Sequence, residues 1–196
     1  MIVIFFGPPG AGKGTQASLI SKKYNIPHLS TGEIFRNKLL EKDTLSIELK
    51  KILDSGELVS NEITNEVVSQ RIDKNDCSKG FILDGYPRTN QQALFLKSKL
   101  DNKKLIINKI IDIQIDEKKI FQRIKSRSSI EKREDDNQEI IKTRILKYIE
   151  ETRPLSEYYR TNYFSDYHIV NGNREIEEIN ADILFFLENN NLWPFF

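Results

Sequence analysis

At 196 residues, with 30 lysines and arginines against 29 aspartates and glutamates, the chain is the size of one domain and carries a formal charge of +1. So even a balance gives no field for holding nucleic acid or an anionic membrane, and any positive potential must be local. The single cysteine, Cys77, excludes an internal disulfide and a cysteine-built zinc site and suits a reducing compartment, so the expected location is cytoplasmic.

Met1 to Phe6 is an apolar run about one strand long. No basic residue precedes it, and glycine and proline follow at once, so it reads as a buried strand and not as a leader. No later run approaches the roughly 18 apolar residues that span a bilayer. A helix is expected from about 13 to 24, then a short strand at 27–29 and helices over 32–41 and 44–55. The turn Gly56-Glu57-Leu58-Val59 leads to a helix at 61–74 with Ile63, Val67 and Ile72 on its apolar face. Phe81-Ile82-Leu83 makes the next strand and ends on Asp84, which therefore sits at a strand tip.

After a helix at 90–100, the interrupted apolar run 105–115 reads as a strand. The following helix carries Arg123 and Arg127 on one face, four residues apart. Residues 126–136 have no periodicity and are mostly charged or small, the pattern of a mobile loop. A long helix at 137–160, broken or bent near Pro154, precedes a strand at 168–170, the turn Asn171-Gly172-Asn173 and a helix at 176–187. The tail Leu192-Trp193-Pro194-Phe195-Phe196 is nearly all apolar and is expected to pack on the domain. Short apolar runs alternating with helices predict an α/β domain whose parallel strands are joined by crossover helices.

The chemistry begins at Gly7-Pro8-Pro9-Gly10-Ala11-Gly12-Lys13-Gly14-Thr15-Gln16, between the first strand and the first helix. Glycines at 7, 10, 12 and 14 let the backbone turn sharply and aim several N–H groups inward at the helix N-terminus, which makes an anion site. Lys13 adds a charge for a transferring phosphoryl group. The spacing is that of the phosphate-binding pattern G-x-x-x-x-G-K-[ST], except that Gly14 takes the place of the hydroxyl residue and Thr15 supplies the hydroxyl one position later. In switch GTPases the residue after the lysine ligates Mg²⁺. Gly14 cannot, so the ion is expected on phosphate oxygens and water, with Asp84 orienting a water from the other side. The loop points to a nucleoside triphosphate and says nothing about the acceptor.

With this loop, the stretches His28-Leu29-Ser30-Thr31-Gly32, Ser55-Gly56-Glu57-Leu58-Val59, Asp84-Gly85-Tyr86-Pro87-Arg88-Thr89 and Arg133-Glu134-Asp135-Asp136-Asn137 resemble the adenylate kinases, in order and over nearly the whole chain. The resemblance implies a P-loop NTPase-type core of five parallel strands flanked by helices, comprising residues 1–29, 60–125 and 137–196. It also implies a small helical AMP-binding subdomain at 30–59 and a LID of the short form at 126–136, which lacks the insertion carrying four zinc ligands. The implied reaction is transfer of the terminal phosphoryl of MgATP to AMP, giving two ADP, in a monomer with no structural zinc.

The resemblance also distributes the residues. Gly10, Ala11, Gly12, Lys13, Gly14, Thr15, Arg123, Arg127 and Arg174 fall to ATP, Arg174 through its backbone carbonyl at the adenine. Thr31, Arg36, Glu57, Leu58, Val59, Gly85, Tyr86, Pro87, Arg88, Gln92, Arg133 and Arg144 fall to AMP, and the catalytic set is Lys13, Asp84, Arg88, Arg123, Arg133 and Arg144. The bias to arginine is chemically sensible, because a guanidinium forks onto phosphate oxygens and stays charged. Related UMP/CMP kinases typically carry asparagine in the place of Thr89, so Thr89-Asn90-Gln91-Gln92 favours AMP, with Gln92 able to pair with an adenine edge through both amide groups. A kinase for UMP or CMP and a P-loop regulatory ATPase are the alternatives; the latter calls for a hydroxyl directly after Lys13 and a second switch loop. Glu33 replaces the family's usual aspartate, Tyr86 a commoner phenylalanine, and Lys132 the glycine before Arg133.

Overall fold

The uninterrupted apolar run Ile2–Phe6 forms β1, buried at all five positions, as a strand covered on both faces must be. The structure, a computed structural model, describes residues 1–41, 44–131 and 137–189, apart from the side chains of 45 and 127–131. After β1 come α1 (Lys13–Tyr24), β2 (His28–Ser30), α2 (Thr31–Lys38), α3 (Thr44–Ser55) and α4 (Asn61–Ile72). The chain continues through β3 (Phe81–Asp84), α5 (Asn90–Asn102), β4 (Lys109–Gln114), α6 (Glu117–Glu131), α7 (Gln138–Lys147), α8 (Arg153–Asn162), β5 (Tyr167–Asn171) and α9 (Ile176–Glu188). The strands form one sheet in the order β2-β3-β1-β4-β5, every pair parallel.

Alternation along β1 divides the core. Ile2, Ile4 and Phe6 face Leu96, Leu100, Leu155 and Tyr159 of α5 and α8, while Val3 and Phe5 face Ile20, Ile179 and Ile183 of α1 and α9. From β1 the chain runs outward past β3 to β2; from β3 it crosses to β4 on the other side. The order therefore reverses at the carboxyl end of β1, where open α/β sheets bind ligands. Residues of α2, α3 and the start of α4 gather round a small core of their own, Phe35, Leu49 and Val59. A fourth cluster, Ile120, Ile124 and Ile141, joins α6 to α7.

Helix starts follow side-chain caps: Ser30 accepts from Glu33 N, Ser60 from Ile63 N, Thr89 from Gln92 N and Asn137 from Ile140 N. Two boundaries differ from the sequence expectation. The strand expected from 105 begins at Lys109, because Asn108 brackets Ile2 with its backbone N–H and its side chain before the ladder starts, and Ile106 points to solvent. Residues 126–131, expected as loop, continue α6; three serines among Arg127, Ile130 and Glu131 erase the apolar period, but no glycine or proline is present to end a helix.

The long helix breaks near Pro154, as expected, with the boundary falling just before the proline. The interruption is a π-turn at Tyr148–Thr152, in which Arg153 N–H donates to Tyr148 O, and Pro154 sits in the first turn of α8. Proline has no N–H to give the carbonyl four residues back and its ring would strike that group, so widening the preceding turn by one residue relieves both problems. Residues 132–136, with Lys132 and Arg133, and the tail 192–196 lie outside the described residues, as does the side chain of Arg127.

Candidate active site

The loop after β1 can form only with glycine at its bends. A Cβ on Gly7 would lie 2.5 Å from the Ile113 carbonyl oxygen, and Gly12, which opens α1, sits at φ 96°. Lys13 Nζ donates to the carbonyls of Gly7 and Pro8 at 2.9 and 3.0 Å, which lays the ammonium across the loop. The segment Pro9–Gln16, including Gly10, Ala11, Gly14 and Thr15, lines a cavity of about 1360 Å³ at the carboxyl end of the sheet.

Asp84 closes the opposite wall. A Cβ placed on Gly14 would stand 3.5 Å from Asp84 Oδ2, so the carboxylate faces the start of α1. Burial pushes its pKa up, but the hydrogen bond from His28 and the positive charges of Lys13, His28 and Arg88 outweigh that and hold the carboxyl below its usual range. His28 Nε2 lies 3.2 Å from Asp84 Oδ2. Sequence reasoning did not single out His28, because only the adjacency of β2 and β3 brings it to Asp84.

Beyond Asp84 the backbone turns at Gly85, φ 78°. The Gly85 carbonyl accepts from Thr31 Oγ1 at 2.9 Å and from Arg88 Nε at 2.8 Å. Arg88 N–H donates to Gln92 Oε1 at 2.7 Å, which fixes the Gln92 amide, since a backbone N–H must face oxygen. That carbonyl is thus already engaged, and the amide NH₂ is the better-placed group for a base edge. A cavity of about 60 Å³ is lined by Thr31, Glu57, Leu58, Val59, Thr64, Gly85 and Gln92, among others. Thr64, buried and bonded to the Val59 carbonyl, is a further lining residue that no sequence motif marks.

Arg36, Arg88 and Arg144 line both cavities and so mark where they meet. Burial presses the Arg88 pKa down, with Asp84 opposing and Arg36 adding to the effect; a guanidinium starts so high that it keeps its charge. Tyr86 and Pro87 line neither cavity. Tyr86 is fully buried, its hydroxyl 2.7 Å from Asn65 Oδ1 and 3.1 Å from the Gln92 carbonyl, so it braces α4 against α5. Glu57 pairs with Lys147 of α7 at 3.1 Å.

On the other side, Arg123 donates to the carbonyls of Ala11 and Arg174, both at 3.2 Å. The Arg174 carbonyl, expected at a base, is here an acceptor for Arg123. Its side chain pairs with Asp182, whose other oxygen lies 2.7 Å from His168 Nε2. Neither Asp182 nor His168 was visible as a site residue in the sequence, since both act through Arg174. Gln16, buried, ties α1 to α9 through Ile176 O and Asn180.

A glycine cradle at the switch point of a parallel sheet, an ammonium across it and an ionised aspartate opposite define a P-loop nucleotide-binding protein. The adenylate kinase family model matches residues 5–164. The chain is 43% identical over 189 residues to an adenylate kinase of Brucella melitensis biotype 1, covering 93% of this chain and 96% of the relative. It is 44% identical, with the same coverage, to adenylate kinases of Brucella abortus strain S19 and of Brucella ovis. The chain belongs to the adenylate kinase family.

Proposed function

We propose that the chain transfers the terminal phosphoryl of MgATP to AMP, giving two ADP, and that the arginines around the two cavities divide the work as their positions suggest. The observation that carries this reading is the sharing of Arg36, Arg88 and Arg144 between two cavities, one under the glycine loop and one walled by Thr31, Val59 and Gln92. In this reading the donor triphosphate lies in the first cavity and the acceptor base in the second. Two polyanions must meet in line, and the transferring group's equatorial charge must be neutralised, so positioning and fixed cations supply most of the catalysis.

Lys13 follows the transferring group from the donor side; Arg88 and Arg36 hold the acceptor phosphate; Arg144 spans the two. Arg123 orders the donor end, with Arg127 and Arg133 assigned to the segment 126–136 acting as a LID and 30–59 as the acceptor subdomain. Among the described residues no three His, Cys, Asp or Glu side chains cluster to hold a metal. Ionised Asp84 beside Gly14 fits a Mg²⁺ that arrives on the nucleotide and is reached through water. The ion, when bound, supplies charge neutralisation on the phosphates.

No helix among the described residues is long and apolar enough to cross a membrane. A cytoplasmic location is part of the proposal, resting on a lone buried thiol, and a monomer is proposed from the family resemblance alone. The test is a coupled ADP assay with ATP and each of AMP, UMP, CMP and GMP. AMP is expected to dominate, and dominant UMP phosphorylation would overturn the acceptor assignment. Tight binding of two adenosines joined by five phosphates is expected to fill both cavities at once.

A further inference from the structure

Arg88 is held by its backbone as well as by its side chain. Its N–H is taken by Gln92 Oε1, and its carbonyl accepts from Thr152 Oγ1 at 3.2 Å. A loop residue thus has both peptide groups bonded to side chains, and one of those side chains arrives from 64 positions along the chain. Thr152 is 7% exposed and is the last residue of the π-turn between α7 and α8.

The π-turn matters because Arg144 lies on the same helical arm. In an unbroken α-helix, residues eight apart point roughly 80° away from each other around the axis. Taking one extra residue into the turn swings the second direction back by about 100°, past alignment, so that the two end about 20° apart. Arg144 can therefore line the junction of the two cavities while Thr152, about two turns on, reaches the backbone of Arg88. A regular helix would splay the two by about 80°.

We propose that Thr152 is a positioning residue that sets Arg88 against Arg144, with the π-turn supplying the register that lets one helical arm do both. The inference rests on the acceptor-phosphate role given to Arg88 above. Thr152 touches no substrate; it fixes the peptide from which the guanidinium projects. If it were only a satisfied core hydroxyl, its loss would lower stability and leave the two substrates affected alike.

The experiment compares Thr152→Val, which keeps the shape without the donor, with Thr152→Ser, which keeps the donor; Thr152→Ala against Thr152→Ser repeats the contrast should the valine variant fold poorly. Initial rates are measured with AMP and ATP varied separately, beside thermal unfolding of each variant. The hydroxyl-free variants are expected to raise KM for AMP about five- to tenfold, the effect of losing one neutral hydrogen bond, with KM for ATP within twofold of the parent and Thr152→Ser restoring the AMP value. Kinetics within twofold of the parent in a folded hydroxyl-free variant, equal rises in both KM values, or no rescue by serine would each overturn the proposal. A parent protein that makes no ADP from ATP and AMP would instead bring down the functional reading, a result distinct from an active parent with an indifferent Thr152.

Discussion

Replacing Gly85 by alanine strikes the acceptor loop at one atom. At φ 78° an added Cβ would lie 2.8 Å from Thr31 Oγ1 and 2.9 Å from an Arg88 guanidinium nitrogen, both below any ordinary contact. Left-handed backbone costs an alanine roughly 1–2 kcal/mol. The two groups displaced are the donors to the Gly85 carbonyl, and each hydrogen bond lost contributes about 1 kcal/mol. The expected loss of stability is therefore about 3–4 kcal/mol, a sizeable share of the 5–15 kcal/mol typical of a domain. Activity should suffer separately, because a misplacement near 1 Å of a group oriented for reaction costs about 10²-fold. Urea titration reads the first effect; ADP formation with AMP and ATP varied in turn reads the second. We expect kcat/KM for AMP to fall about 100-fold and KM for ATP to stay within threefold. A variant with parental AMP kinetics and an unshifted urea midpoint would refute the reasoning, since the loop would then have absorbed the methyl group without moving Arg88.

Lys13→Met removes the ammonium that spans the glycine loop, and turnover should fall by about three orders of magnitude or more, while circular dichroism stays native; near-normal rates would remove Lys13 from the catalytic set. Asp182→Ala removes the ion pair of the Arg174 side chain, which keeps its bond to the Asn171 carbonyl, and so loosens the carbonyl that Arg123 holds; KM for ATP should rise about three- to tenfold and that for AMP should not, and a rise in the AMP value alone would contradict this chain of contacts. Cys77 is buried, and burial pushes its thiol up to about 11, with Arg71 opposing weakly and Asp76 adding. An unfolded thiol ionises near 8.5, so between about 8.5 and 11 the unfolded chain holds fewer protons than the folded one, and stability should decline as pH rises through that window. Alkylation of Cys77 by iodoacetamide at pH 8.5 should accordingly be slow in the native protein and fast in denaturant; equal rates would place the thiol at the surface.

What the sequence discloses depends on how local the signal is. The glycine loop, Lys13 and the α/β alternation are written within a few consecutive residues, and they locate the cavity proposed for the donor without knowledge of strand order. The arginines at the junction were assigned through resemblance, since nothing in the spacing of Arg36, Arg88 and Arg144 says that they converge. Contacts between side chains on neighbouring strands or distant helices leave no local trace. His28 on Asp84, Asp182 on Arg174 and Thr152 on Arg88 each require the sheet order or a break in a helix to be known first. The place of the break is marked by Pro154, but its form is not: the backbone relieves the proline in the turn before it, where the sequence carries no special residue.

Gly14 gains a second role from the geometry. As a sequence feature it removes a magnesium ligand from the position after the lysine. In the structure neither space nor backbone requires glycine there: its φ is not in the left-handed region, and a Cβ would meet Asp84 Oδ2 at an ordinary 3.5 Å. A hydroxyl on that Cβ, however, would fall within hydrogen-bond reach of the same carboxylate oxygen, which already accepts from His28. Asp84 would then be engaged from two sides, with less capacity left for the water-mediated role proposed for it. Moving the hydroxyl to Thr15 keeps it on the wall of the donor cavity and leaves the carboxylate facing an empty Cα. The departure from the usual phosphate-binding pattern and the placement of the acid opposite it are thus two halves of one arrangement.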